Sequence, residues 1–277
     1  MAMARANDGT RLHFQVLGRR GAPPVLLIAG LGQELTGWTL QRLAFASRYC
    51  TIAFDNRGVG RSDKPAGAYS LIEMADDAVA VLDALGIDSA HVVGLSMGGA
   101  IGQVLAVRHP GRLRSLTLVC TACRNHPWRR ELLEEWAETA RRRGMRALSQ
   151  QAMRWLVGPR SLRRFAPALG LFGPLALQCP PHAFAAQVDA ILSADEGLAR
   201  DLASIAVPTL VVAGNQDILT PRGDAEELAD RIPGAELVVI SGAAHGLTVE
   251  HASTFNRIVL EFLGRAERAW PTLRTVA

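Results

Sequence analysis

Apolar residues in this chain fall into short, doubly apolar runs, separated by stretches where they recur every three or four positions. Val25-Leu26-Leu27-Ile28-Ala29 is apolar on both faces and bounded by Pro and Gly, the pattern of a parallel strand covered by helices on both sides. The runs at 50–54, 91–93, 113–119, 209–213 and 236–240 read as further strands, and residues 12–17 alternate weakly, as an edge strand does. Helical spacing fills the gaps. Met74, Ala78, Val81, Leu82 and Leu85 share one helical face over 72–85, and Gly86 supplies the stop. Further helices are predicted over 38–48, from the Gly94–Gly99 stretch to His109 before Pro110, over 224–231 and over 253–263. The alternation breaks from Thr121 to Ala206, where no strand pattern occurs and three helices are predicted, over 128–143, 146–157 and 181–195. The class is therefore α/β: a mostly parallel central sheet of about eight strands with helices on both faces. The sheet domain is split into residues 1–123 and 206–277 by a helical insertion over 124–205.

Composition narrows the partners. Apolar residues make up 49% of the chain and charged residues 20%, enough for a substantial core and too apolar for disorder. The net charge of +4 is spread thinly. Its densest run, Arg141-Arg142-Arg143, follows a Glu-rich helical stretch and reads as a solvated helix end, so no nucleic-acid partner is expected. The N-terminal stretch has no apolar region of signal-peptide type, and no apolar run approaches the ~20 residues of a membrane span. A cytoplasmic monomer or homodimer acting on a small molecule is the expectation. Cys50, Cys120, Cys123 and Cys179 read as reduced packing residues. Cys120 and Cys123 have C-x-x-C spacing without a second ligand pair, so no metal and no cofactor are expected.

The candidate chemistry begins at Gly94-x-Ser96-x-Gly98, between a buried strand and a helix. A serine lifted out of a sheet on so tight a turn needs flanking residues without side chains, and Gly94 and Gly98 meet that need; Gly99 and Gly102 would let the helix approach the sheet. The turn places the Met97 N–H at a helix N-terminus, where it can stabilise an oxyanion. A serine nucleophile requires a base. Of seven histidines, His245 lies just past the last strand, at the sheet end where loops converge; His251, opening the last helix, is the rival. Asp217, past the strand at 209–213, is the candidate acid, with Asp224 and Asp195 as alternatives. The second oxyanion donor falls to the Leu31 N–H in the Gly30-Leu31-Gly32 loop after the first central strand.

These residues, in the order Ser96, Asp217, His245, resemble the α/β-hydrolase superfamily over essentially the whole chain. Asp55-Asn56-Arg57-Gly58-Val59-Gly60-Arg61-Ser62-Asp63 resembles the family's D-x-R-G-x-G-x-S-D loop. The Gly94-Leu95-Ser96-Met97-Gly98-Gly99 elbow with Ile101-Gly102-Gln103, and the loop from Gly214 to Asp217, are similar to the 3-oxoadipate enol-lactonase and small-ester carboxylesterase branch. Ala29 is a departure: many members carry His before the oxyanion-loop Gly, a side chain that often braces the loop. The resemblance implies a carboxylic-ester or lactone hydrolase with an acyl-enzyme on Ser96, and a helical cap over the site. Acyl transfer, C–C bond hydrolysis and cofactor-free perhydrolysis share the same triad, and a receptor-like homologue that retains the machinery is a further alternative. Gly30 and the aromatic residues Trp128, Trp136, Trp155 and Phe172 are the candidates for substrate binding.

Overall fold

The computed structural model describes residues 2–19, 21–159, 161, 163, 179–194 and 201–276. Its centre is one eight-stranded sheet, ordered β1-β2-β4-β3-β5-β6-β7-β8. The strands are β1 (Ala2–Arg5), β2 (Arg11–Leu17), β3 (Pro24–Ile28), β4 (Cys50–Phe54), β5 (Ala90–Leu95), β6 (Leu113–Val119), β7 (Thr209–Gly214) and β8 (Glu236–Ile240). The β1–β2 and β2–β4 pairs are antiparallel, and every pairing from β4 to β8 is parallel. The segment expected at the sheet edge, β2, is one strand in from it. Ala2–Arg5 forms the edge, with only Ala4 of its four residues buried, so it carries too little apolar pattern to be read as a strand.

Eight helices are described: α1 (Thr39–Phe45), α2 (Leu71–Ala84), α3 (Met97–Arg108), α4 (Pro127–Leu156), α5 (Pro181–Ser193), α6 (Arg222–Arg231), α7 (Leu247–Glu250) and α8 (Ala252–Val276). Strand alternation divides the core. Leu26, Ile28, Val92, Leu116 and Val211 face α2, α3 and α6, while Val25, Leu27, Val93, Leu210 and Val212 face α1 and α8. The Ser70 hydroxyl caps α2 by accepting from the Glu73 N–H. At its other end Gly86, at φ +65°, and Ile87 donate back to the Asp83 and Leu82 carbonyls, the glycine stop expected from the sequence.

Between β6 and β7 the described chain is helical. Gly144 (φ 79°, ψ 170°) kinks α4 between the two helices predicted there. Leu132, Leu133, Trp136, Leu148, Phe184 and Val188 give this segment an apolar cluster of its own, which meets the sheet domain at Val59 and Leu219. The last helix runs well past its predicted end at Leu263, to Val276. Glu267 in that extension receives hydrogen bonds from Arg114 and pairs with His91. No described helix is long and apolar enough to cross a membrane.

Candidate active site

Ser96 stands where β5 turns into α3. Its backbone is at φ 55°, ψ −118°, a conformation costly for a residue with a Cβ. Tertiary bonds hold it there. The Ser96 N–H donates to the Val119 carbonyl at 2.8 Å, and the Ser96 carbonyl accepts from the Gly99 N–H and the Thr121 hydroxyl, each at 2.8 Å. A Cβ on Gly94 would lie 2.2 Å from the Gly98 carbonyl oxygen, and one on Gly98 would lie 2.2 Å from that of Ile28. Backbone cannot yield to such contacts, which is why the elbow takes glycine at both places. Met97 is the first residue of α3, so its N–H has no acceptor within the helix and sits at the positive end of the helix dipole. The Gly30 loop comes alongside: a Cβ on Gly30 would be 3.5 Å from the Ser96 Cβ.

His245 and Asp217 follow β8 and β7, at the same end of the sheet. Both are buried, and His245 Nδ1 lies 2.8 Å from Asp217 Oδ2. The other Asp217 oxygen accepts from the Leu219 and Thr220 N–H groups, each at 2.9 Å, while the Thr220 hydroxyl donates to Oδ2 at 2.7 Å. Burial pushes the Asp217 carboxyl up, but the adjacent imidazole and the Thr220 bonds outweigh it and hold it below the usual range. An ionised Asp217 is acceptor-only, and the Thr220 proton is already directed at it. The proton between His245 and Asp217 therefore sits on Nδ1, leaving Nε2 as the basic nitrogen. Ser96 and His245 line one cavity of about 200 Å³, together with Gly30, Leu31, Met97 and Thr220.

Cys120, directly after β6, was expected only to pack. It is buried at φ 44°, and its sulfur lies within 4.8 Å of ligand atoms of both Asp217 and His245. Burial, then the Asp217 charge and hydrogen bond, push the thiol well above its ordinary pKa. A protonated thiol can donate to the Asp217 carboxylate. Thr220 was legible as the end of a D-x-x-T turn, in which an aspartate accepts from N–H groups two and three residues ahead. Cys120 was not, because its proximity to Asp217 arises only from the β6–β7 pairing.

The rival residues serve elsewhere. His251 Nε2 lies 3.2 Å from the Gly242 carbonyl, and Asp224 is bonded by the Arg129 guanidinium at 2.9 and 3.1 Å. His13 pairs with Asp55, His91 with Ser115 and Glu267, and His109 with Asp76. Asp195 lies outside the described residues. Among the aromatic candidates, Trp136 lines the cavity beside Leu133, Leu148, Met153, Phe184 and Ile191. Trp128 and Trp155 stack on each other, with centroids 6.1 Å apart and planes 14° apart, and are not among the described cavity lining. Phe172 lies outside the described residues.

Buried bonds hold the first part of the Asp55–Asp63 loop. Asp55 accepts from the Leu35 and Arg61 N–H groups and pairs with His13, and Arg57 is held in a two-pronged bond by Asp77 at 2.7 Å on both prongs. Asn56 Nδ2 donates to the Ala29 carbonyl at 3.0 Å, at the root of the Gly30 loop.

The sheet order, the strained serine after β5 and the acid and histidine after β7 and β8 define a hydrolase class. A family model described as the alpha/beta hydrolase fold matches residues 23–252, and the chain belongs to that family. RutD of Azorhizobium caulinodans, to which carbamate hydrolysis is provisionally ascribed, is 33% identical over 97% of this chain and 100% of its own. 3-Oxoadipate enol-lactonase 2 of Acinetobacter baylyi is 30% identical over 90% of this chain and 91% of its own. The crystal structure of the enol-lactonase from Burkholderia xenovorans LB400 superposes with a TM-score of 0.88 at 32% identity, covering 95% of this chain and 100% of that one. The protein is a hydrolase similar to the enol-lactonase branch.

Proposed function

We propose that the protein hydrolyses a carboxylic ester or lactone, with Ser96 as nucleophile, His245 as general base and acid, and Asp217 as the group that orients the imidazole. The 2.8 Å bond between His245 Nδ1 and Asp217 Oδ2, in a cavity that Ser96 also lines, carries the reading. Ser96 Oγ attacks the carbonyl carbon as His245 Nε2 takes its proton. The carbonyl π pair moves onto oxygen, where the Met97 and Leu31 N–H groups stabilise it. Collapse returns that pair to the carbonyl and breaks the C–O bond to the alcohol, which leaves with the proton from His245. Water, deprotonated by His245, then releases the acid and regenerates Ser96. In a lactone the alcohol stays tethered to the acyl group, so the product is a single hydroxy- or oxo-acid.

The helices α4 and α5 act as a cap. The 200 Å³ cavity lies between them and the sheet, and its wall is mostly apolar, with Arg124, Asn125 and Ser149 among its polar members. An apolar cavity of ~150 Å³ holds one benzene ring, so the site suits a substrate of one small ring or a short chain. The test is turnover of p-nitrophenyl butyrate, a γ-lactone and an aryl carbamate by wild type and by Ser96→Ala. Activity lost by several orders of magnitude in the variant is expected; unchanged activity would end the proposal. Turnover of the carbamate alone would move the substrate class toward that ascribed to RutD.

A further inference from the structure

We infer that Gln187, on the insertion helix α5, is a positioning residue that holds the oxyanion loop in place. The inference rests on the acyl chemistry proposed for Ser96. Gln187 is fully buried, at 0% exposure. Its carboxamide bridges two loops of the sheet domain: Oε1 accepts from the Gly32 N–H at 3.0 Å, and Nε2 donates to the Arg57 carbonyl at 2.8 Å. These partners lie 155 and 130 residues away in sequence.

The loop it grips needs an external brace. Gly32 is at φ +68°, and the methyl of Ala29 at the loop's root can make no hydrogen bond. Asn56 secures one end of the loop, through the Ala29 carbonyl, and Gln187 the other, through the Gly32 N–H. The Leu31 N–H lies between these two anchors. The second grip is rigid in turn, because the Asp77 carboxylate clamps the Arg57 side chain. Removing the carboxamide leaves two buried backbone groups unpaired, and the loop must turn to satisfy them. Such a turn swings the Leu31 N–H away from the oxygen it serves. The insertion thereby does more than shape the cavity: through one side chain it sets the geometry of charge stabilisation.

Gln187→Met keeps the shape and removes both bonds. With p-nitrophenyl butyrate, kcat should fall about 10²-fold, the scale of an oxyanion donor lost or a catalytic group misplaced by about 1 Å, with KM within about threefold. Affinity for a trifluoromethyl ketone, which Ser96 attacks to give an oxyanion in the same hole, should fall by a similar factor. Gln187→Glu keeps the acceptor for Gly32 and should recover part of kcat. An unchanged kcat in Gln187→Met, or a reduced kcat with undiminished ketone affinity, overturns the inference. Should that variant fail to fold, hydrogen exchange in the wild-type protein decides: the Gly32 amide should be strongly protected, and rapid exchange there overturns the inference equally. Ser96→Ala keeps the two questions apart. An active Ser96→Ala defeats the underlying mechanism, whereas an inactive Ser96→Ala beside a fully active Gln187→Met defeats only the role of Gln187.

Discussion

At the residue scale, the site depends on groups whose alternatives are sterically or electrostatically closed. Gly94→Ala would drive a Cβ into the Gly98 carbonyl at 2.2 Å, whereas at Gly102 the nearest atom is the flexible end of Leu116, at 3.2 Å. Gly94→Ala should therefore cost at least about 3 kcal/mol or prevent folding, and Gly102→Ala should cost well under half of that, as urea denaturation would show. Asp217→Asn keeps the shape of the acid but can donate to His245 Nδ1 and favour the wrong tautomer; kcat on a p-nitrophenyl ester should drop about 10⁴-fold. The same substitution should change acid stability. The Asp217 carboxyl is held below its ordinary range, so its ionised form adds stability above about pH 4, and that stability is lost as pH falls through the folded value. Melting temperatures below pH 4 should accordingly fall less steeply in Asp217→Asn than in wild type.

At the element scale, the helices between β6 and β7 are attached to the rest of the described chain by buried polar bonds as well as by apolar packing. Arg129 of α4 is paired with Asp224 of α6, and both are buried. Burial pushes the Asp224 carboxyl up, and Arg129 is the largest influence opposing it. Arg129→Met leaves that carboxyl with only the longer contact to His126, at 3.4 Å, and should cost about 3 kcal/mol near neutral pH. The sign with pH is opposite to that at Asp217. A carboxyl whose folded pKa is raised favours the fold while protonated, so the variant should be most stable at acidic pH and lose stability as pH rises through the folded value. Chemical denaturation at pH 5 and pH 8 checks this. The α4 kink is a second such point. At φ 79°, ψ 170° a Cβ meets no atom within 4 Å, so Gly144→Ala should cost about 1–3 kcal/mol from backbone strain alone. A matching loss of melting temperature without a change in the elbow's chemistry would be seen as lower stability with kcat retained.

At the scale of the whole molecule, function follows from where the strands end. The parallel strands β3, β5, β6, β7 and β8 bring Gly30, Ser96, Cys120, Asp217 and His245 to one end of the sheet, and α4 and α5 close over them. The resulting cavity of about 200 Å³ sets a size limit. Within a p-nitrophenyl ester series, kcat/KM should be greatest for short acyl chains and at least about tenfold lower for dodecanoate. Trp136→Ala, which removes the bulkiest wall residue, should shift the optimum toward longer chains; an unaltered profile would show that the acyl group lies elsewhere.

Local pattern was enough to reveal seven of the eight strands, the elbow and the catalytic candidates, because each is a short-range property. A strand buried on both faces must be apolar throughout, as 25–28 is; a strained turn must be glycine-flanked, as Ser96 is; an acid capping its own turn shows as D-x-x-T at 217–220. Other features depend on residues distant along the chain, and no short-range pattern encodes them. The edge strand Ala2–Arg5 owes its form to pairing with β2, and the extension of α8 bonds to His91 and Arg114 through Glu267. Trp128 turned to Trp155 rather than to the cavity, Cys120 came to rest against Asp217, and Gln187 reached across to Gly32. Hydrophobic spacing specifies which face of an element is buried; which side chain then meets which is decided by packing, when faces from opposite ends of the chain exclude water together.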